Sequence, residues 1–111
     1  MTFDRFDVVI VPFPFTDRQT SKRRPALVLS NKACAAETGN WILAMITSAK
    51  QSSWPGDADV ADLAEAGLPQ PCKVRMKLFT LEHRLIIDRI GTLSDHDRRA
   101  VTASLAQAIG V

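Results

Sequence analysis

Short apolar runs rich in β-branched residues follow one another along this chain, and each ends at proline, glycine or a polar segment. Val8–Val11 is the clearest run, and Pro12 and Pro14 follow it directly. Such runs are typical of β-strands, whereas proline cannot donate a hydrogen bond to a neighbouring strand. We therefore predict a strand over residues 6–11 and a stiff loop that continues through residue 23.

Further segments predict four more strands and two helices. The strands are predicted over residues 25–30, 41–47, 72–81 and 85–93, with a short connection at 31–40 and a loop at 48–57. A short helix is predicted over 59–66, because Gly67 and Pro69 stop it. A terminal helix is predicted from an N-cap at Ser94, with Asp97 three residues on, to Gly110.

This pattern predicts a mainly β fold with some helix, in which a small, mostly antiparallel barrel carries a C-terminal helix and a short accessory helix. With 111 residues, the chain is expected to form a single domain over residues 1–111. The longest apolar run, Trp41 to Ile46, has six residues, whereas a membrane helix needs roughly 20. Asp4 and Asp7 do not fit a secretory signal, so we expect a cytoplasmic protein whose two cysteines are free thiols.

Positive charge is concentrated in two segments, although the net charge is only +2. If the two segments converge in the fold, they form a positive surface that attracts phosphates. Solvated surface charge is the alternative, and charge alone favours it. The basic residues are Arg18, Lys22, Arg23 and Arg24 in the first segment, and Lys73, Arg75, Lys77, Arg84 and Arg89 in the second.

The titratable residues do not predict a protease-like triad, a metal site or a cofactor. The histidines, His83 and His96, fall in a predicted hairpin turn and in the first turn of the last helix, where surface positions are usual. No set of His, Cys or Asp has metal-ligand spacing. The acidic residues between 57 and 65 are interpreted as a solvated face.

Arginine and hydroxyl side chains remain as candidates for chemistry. Arg24 enters the second strand and Thr47 ends the third, so the two approach the same end of the sheet if these strands are neighbours. RNA cleavage needs no metal when the ribose 2′-hydroxyl attacks, and arginine supplies charge and donors, although its pKa above about 12 makes it a poor base. Phe13, Phe15 and Trp54 either stack on bases or pack the loops onto the barrel, and for Phe13 we expect packing.

Several motifs in order resemble the PemK/MazF-like toxins of bacterial type II toxin-antitoxin systems. They cover nearly the whole chain, which makes the resemblance specific. The motifs are Asp7-Val8-Val9-Ile10-Val11-Pro12-Phe13-Pro14-Phe15-Thr16-Asp17, Lys22-Arg23-Arg24-Pro25-Ala26-Leu27-Val28-Leu29-Ser30, Met45-Ile46-Thr47-Ser48, Gly67-Leu68-Pro69, Val74-Arg75, Lys77-Leu78-Phe79-Thr80-Leu81 and Ile90-Gly91-Thr92-Leu93-Ser94.

The resemblance implies an SH3-like barrel, a homodimer and a metal-independent endoribonuclease that cuts single-stranded RNA through a 2′,3′-cyclic phosphate. It also implies a cognate antitoxin whose flexible, often acidic tail covers the basic groove. It identifies Arg24, Thr47 and Arg75 as catalytic residues. RNA contacts are expected at Phe15, Thr16, Asp17, Arg18, Lys22, Arg23, Ser48, Trp54 and Lys77.

Two departures from the family pattern keep alternatives open. Many members have glycine where this chain has Phe6, and some have an aspartate, a candidate base, where Met76 and Lys77 follow Arg75. The base is then Asp17, a water or the substrate itself. A gyrase-binding toxin with the same barrel, or a degenerate member that only binds antitoxin or RNA, are the alternative functions.

Overall fold

Six antiparallel strands form one sheet in the order β4-β5-β3-β2-β1-β6. The computed structural model describes residues 2–14 and 22–111. The strands are β1 (Asp7–Phe13), β2 (Lys22–Val28), β3 (Asn40–Ser48), β4 (Ala58–Asp59), β5 (Cys72–Glu82) and β6 (Asp88–Thr92). The helices are α1 (Lys32–Thr38), α2 (Leu63–Ala66) and α3 (Asp95–Ile109), with a 3₁₀ turn at His83–Leu85. In the described chain β4 and β6 do not pair with each other, so the predicted mainly β fold is confirmed as a half-barrel.

Apolar residues line both faces of the sheet, as the continuous apolar runs predicted. Neighbouring residues of a strand point to opposite faces, so each run supplies two cores. The first core includes Val8, Leu27 and Ile46 and is covered by α2 and α3. The second core includes Val9, Val28 and Trp41 and is covered by α1 and the 3₁₀ turn.

The prolines at 12 and 25 lie inside strands, which corrects two predicted boundaries. β1 continues to Phe13, with Pro12 opposite Arg23, and β2 begins at Lys22. Among the described residues, β6 pairs with β1 only up to Ile10, and β3 pairs with β2 only from Ala26. Each proline therefore has a strand on one side only, where a missing N–H is tolerated.

Residues 31–40 contain α1, where the sequence predicted only a short connection. Asn31 accepts a hydrogen bond from the Cys34 amide at 2.9 Å and caps the helix start. Gly39 ends the helix with a φ of 73°, a left-handed conformation that glycine adopts without a steric cost. Ala35 of α1 packs against the second core.

The predicted terminal helix is confirmed, and it begins at the predicted cap. The Ser94 hydroxyl accepts a hydrogen bond from the Asp97 amide at 3.2 Å. The Asp97 carboxylate is buried and accepts hydrogen bonds from the amides of Ala61 and Asp62, at 2.9 and 3.0 Å. It thus connects α3 to the segment between β4 and α2. The helix predicted over 59–66 is shorter than expected, because residues 61 and 62 bind Asp97 and only Leu63–Ala66 form α2.

Candidate functional site

Arg24, Thr47 and Arg75 come from three strands and line one open pocket of about 490 Å³. Ala26 of β2 lies opposite Met45 of β3. Arg24 lies two residues before Ala26 and Thr47 two residues after Met45, so in this antiparallel pair both lie toward the same end of the sheet and on the same face. Arg75 lies opposite Met45 on the other side of β3. The pocket therefore continues the face of the second core at the point where β2, β3 and β5 extend beyond it.

An irregularity in β5 shapes the side of this pocket. Ala44 lies opposite Leu78, but the next residue of β3, Met45, lies opposite Arg75, so Met76 and Lys77 are extra residues in β5. Bulges of this kind redirect side chains next to functional sites. The remaining pocket residues are both apolar and polar: Phe13, Met45, Ile46, Gln51, Lys77, Leu78 and Phe79.

The Arg24 guanidinium lies over the ring of Phe13, with 5.4 Å between Cζ and the ring centroid. Among the described residues, no carboxylate pairs with Arg24, which lines the pocket. Phe13 is 39% exposed. The ring of Phe13 lines the pocket, and most of the loop that it was expected to pack onto the barrel lies outside the described residues.

Arg75 is held by a carboxylate that the sequence analysis assigned to a solvated acidic face. Arg75 Nε lies 3.1 Å from Asp57 Oδ1, and Nη2 lies 3.0 Å from Oδ2. The side chains of Arg75 and Asp57 are 15% and 11% exposed, so this part of the acidic face is not solvated. The hydrogen bonds from Arg75 lower the pKa of Asp57, and the same contact raises the pKa of Arg75.

The predicted RNA-binding residues divide between the pocket rim and the outside of the sheet. Trp54 is 41% exposed, and its ring faces Arg75 Cζ at 5.5 Å and Lys77 Nζ at 5.6 Å. Lys22 and Arg23 are exposed on β2, and Ser48 ends β3, but none of these three lines the pocket. Phe15, Thr16, Asp17 and Arg18 lie outside the described residues.

The two basic segments converge only in part. Arg24 meets Arg75 and Lys77 at the pocket, whereas Arg84 pairs with Glu82 and Arg89 pairs with Asp7. Of the second segment, Arg75 and Lys77 thus lie at the pocket, whereas Lys73 is buried and Arg84 and Arg89 do not line the pocket.

Neither histidine lies at the pocket. His83 Nδ1 accepts a hydrogen bond from Trp41 Nε1 at 3.0 Å, and its ring packs against Phe3. His83 is exposed, as predicted, and it contacts Phe3 and Trp41 of the second core. His96 is exposed in the first turn of α3.

Residues 2–14 and 22–111 contain no group of three His, Cys, Asp or Glu side chains placed to hold a metal ion. No helix within these ranges is long and apolar enough to cross a membrane.

Residues 4–109 match a family model described as the PemK-like, MazF-like toxin of type II toxin-antitoxin systems. The match covers nearly the whole chain, including Arg24, Thr47 and Arg75. No curated protein sequence matches the chain significantly.

Solved structures of similar fold include toxins and toxin-antitoxin complexes. The Mycobacterium tuberculosis toxin MazF-mt6 is 22% identical, with a TM-score of 0.75 over 95% of this chain and 97% of that one. An endoribonuclease in complex with its cognate antitoxin, from a mycobacterial species, is 18% identical, with a TM-score of 0.76 over 99% and 97%. A MazE-MazF complex from Deinococcus radiodurans is 21% identical, with a TM-score of 0.78 over 100% and 99%. These likenesses support the fold.

Proposed function

We propose that this chain, which belongs to the PemK-like, MazF-like toxin family of type II toxin-antitoxin systems, is an endoribonuclease that cleaves single-stranded RNA without a metal ion. The observation that carries the proposal is the presence of Arg24, Thr47 and Arg75 in one pocket. RNA brings its own nucleophile, the 2′-hydroxyl. The protein then has to align this hydroxyl, stabilise the crowded phosphate and move protons.

In the proposed reaction the 2′-oxygen attacks phosphorus and the bond from phosphorus to the 5′-oxygen breaks. The products are a 2′,3′-cyclic phosphate and a 5′-hydroxyl. Arg24 donates hydrogen bonds to the phosphate and a proton to the leaving 5′-oxygen, which as an alkoxide is more basic than a neutral guanidine. Thr47 orients the phosphate or the 2′-hydroxyl, and Arg75 adds positive charge. The 2′-proton passes to Asp17, to a water or to a phosphate oxygen.

Exposed rings beside the pocket support binding of unpaired bases. Trp54 and Phe13 are each about 40% exposed, and each ring has a cationic side chain against it. Aromatic rings stack on any base, with roughly 1–3 kcal/mol per base, and the adjacent cations attract the phosphate backbone. Lys22, Arg23, Ser48 and Lys77 are proposed as further RNA contacts, outside the reacting centre.

The proposed partners follow from family membership and charge. A cognate antitoxin with a flexible acidic tail complements the cationic pocket, and its binding excludes RNA. The solved mycobacterial endoribonuclease is itself described in complex with its cognate antitoxin. We also propose that the chain forms a homodimer and acts in the cytoplasm.

The decisive experiment incubates purified, antitoxin-free protein with a long mixed-sequence RNA in excess EDTA and maps the cut sites and end groups. Wild-type protein is expected to give discrete cuts with 2′,3′-cyclic phosphate ends. Arg24→Ala is expected to cleave roughly 100-fold to 1,000-fold more slowly, because one charged transition-state donor is lost. Arg99→Ala is the matched control, since it removes an equal charge from an exposed position on α3.

The outcomes separate the candidate functions. Cleavage by folded Arg24→Ala protein at the wild-type rate would refute the assigned site. A folded wild-type protein that makes no cuts would refute the nuclease, and trapping of a gyrase-DNA complex would then support the gyrase-binding alternative. RNA or antitoxin binding without turnover would indicate a degenerate member.

A further inference from the structure

The ion pair between Asp57 and Arg75 follows from strand register. Ala58 of β4 lies opposite Val74 of β5, so the preceding residue, Asp57, lies opposite Arg75. Two parallel hydrogen bonds join the carboxylate and the guanidinium, at 3.0 and 3.1 Å. This fork-to-fork geometry fixes the plane and direction of the guanidinium more strictly than a single contact does.

Additional contacts fasten the loop of residues 51–57 to β5. Lys73 Nζ donates to the carbonyl of Gln51 at 2.7 Å and lies 3.5 Å from Asp57 Oδ2. Arg75 Nη2 donates to the carbonyl of Ser52 at 2.6 Å. The Trp54 amide donates to Asp57 Oδ2 at 3.0 Å. Asp57 therefore sits at the centre of the contacts that hold this loop against the pocket.

These contacts determine which part of Arg75 faces a ligand. A guanidinium has five N–H donors. Three of them, on Nε and Nη2, point to Asp57 and Ser52. The two donors on Nη1 have no acceptor among the described residues, and Arg75 lines the pocket. Arg75 thus offers one nitrogen to a phosphate oxygen and cannot use its Nε–Nη2 edge.

The same contacts make Asp57 unsuited to act as a base. Both carboxylate oxygens already accept hydrogen bonds, and the guanidinium of Arg75 holds the pKa of Asp57 below its usual value. A carboxylate in this state has little tendency to take a proton from a ribose hydroxyl.

We propose that Asp57 is a positioning residue for the proposed RNA cleavage, acting by aiming Arg75 Nη1 at the phosphate. This inference rests on the proposed function. Asp57 reduces the positive charge that attracts RNA, and in return it fixes the direction of the donor. Loss of its charge is therefore expected to slow the chemical step without weakening RNA binding.

The test measures single-turnover cleavage of one mapped RNA site and the binding of the same RNA with a 2′-deoxy group at that site. Asp57→Asn is expected to reduce the cleavage rate about 10-fold to 100-fold, as small misplacements of catalytic groups do, while affinity for the deoxy RNA stays equal or increases. Asp59→Asn is the matched control. Asp59 lies two residues after Asp57 in the chain, its side chain is exposed, and it lies opposite Lys73 through strand pairing alone. In an Arg75→Ala background, Asp57→Asn is expected to have little further effect on the rate.

Each result decides the inference. A wild-type cleavage rate in Asp57→Asn, in a preparation where wild type cuts and Arg24→Ala does not, overturns the role of Asp57 and leaves the proposed function standing. A further rate loss in the Arg75→Ala background shows that Asp57 acts by a route other than Arg75, and overturns the inference too. Where Asp57→Asn does not fold, Asp57→Glu keeps the charge but displaces Arg75, and a wild-type rate in that variant overturns the inference. If wild-type protein makes no cuts, the proposed function fails, and the role of Asp57 fails with it.

Discussion

Gly91 in β6 lies against the main chain of Ala66 at the end of α2, so closely that no side chain fits between them. A Cβ atom on Gly91 would overlap the Ala66 carbonyl group and would lie 2.6 Å from the carbonyl oxygen of Glu65. The neighbouring Gly67 is equally close to the Ile90 main chain, so two of the motifs that carry the family resemblance meet here, Gly67-Leu68-Pro69 and Ile90-Gly91-Thr92-Leu93-Ser94. It holds α2 on the sheet, where Ala66 and Leu68 are buried in the first core.

Gly91→Ala is expected to lower the free energy of unfolding by about 1–3 kcal/mol, because only backbone atoms are available to move away from the added methyl group. Urea denaturation measures this loss. Gly39→Ala is the comparison, since Gly39 has no neighbour within 4 Å and only the cost of its positive φ remains. A smaller loss in Gly91→Ala than in Gly39→Ala would contradict the close contact.

Asp97→Ala is expected to destabilise the protein by roughly 2–5 kcal/mol, because it leaves the amides of Ala61 and Asp62 without their acceptor. Asp95→Ala is the matched control, since Asp95 is an exposed acidic residue in the same helical turn and contributes only through the helix dipole, about 0.5 kcal/mol. Denaturant titration of both variants tests this. Equal losses in the two variants would show that the cross-connection of Asp97 contributes nothing.

Local patterns predicted most of the strands, the terminal helix and its Ser94 cap, because each depends on neighbouring residues. They also predicted that Arg24 and Thr47 approach one another, which needed only the assumption that β2 and β3 are neighbours. The partner of Arg75 could not be predicted, since Asp57 reaches it through the pairing of β4 with β5. A two-residue strand such as β4 has no sequence pattern of its own.

Long-range pairing also explains the strand boundaries that the sequence missed. The sequence predicts that the strand ends at Pro12, because proline cannot continue a strand that is paired on both sides. Here β6 ends its pairing at Ile10, and this follows from the tertiary arrangement rather than from the residues around Pro12. The contacts of Asp97 also depend on the tertiary arrangement. The capping pattern of Ser94 and Asp97 predicted a contact within the first turn of the helix, whereas the Asp97 carboxylate binds the amides of residues 61 and 62.

Phe6, where the family resemblance predicts glycine, has a φ of 72°, which lies in the left-handed region. Hydrogen bonds from the Phe6 amide to the carbonyl of Val28, at 2.7 Å, and from the Leu93 amide to the Phe6 carbonyl, at 3.0 Å, hold this conformation. The ring packs against the first core, and the guanidinium groups of Arg5 and Arg98 lie over it at 4.8 and 5.4 Å from its centroid.

Phe6→Ala is expected to lose these contacts and keep the strain, whereas Phe6→Gly loses the contacts and relieves the strain. Phe6→Gly should therefore be more stable than Phe6→Ala by about 1 kcal/mol, the reverse of the usual order. Thermal unfolding of the two variants measures the difference. A more stable alanine variant would show that residue 6 is not held at positive φ.

The ion pair of Asp57 predicts a specific pH dependence of stability. Arg75, with Lys73 also nearby, lowers the pKa of Asp57 in the folded protein, so the unfolded chain binds a proton at higher pH than the folded chain does. The stabilisation is complete above the unfolded pKa of about 3.9 and is lost as the pH falls through the lower folded pKa. The difference in unfolding free energy between wild type and Asp57→Asn should be constant from about pH 7 to pH 5 and shrink below about pH 4. A difference that stays constant down to about pH 2, or an equal trend in Asp59→Asn, would contradict this.

The hydroxyl of Thr47 is expected to matter for RNA cleavage and not for the fold. Thr47 lies near the end of β3, opposite Lys73, with its side chain at the pocket. Thr47→Val keeps the shape and the β-branch but removes the hydroxyl, so cleavage is expected to fall by about 10-fold to 100-fold, less than in Arg24→Ala, because Thr47 supplies a neutral hydrogen bond. Thr47→Ser keeps the hydroxyl and should cleave within a few-fold of the wild-type rate. Initial rates at one mapped site in excess EDTA compare the two variants, and equal rates would show that Thr47 only shapes the pocket.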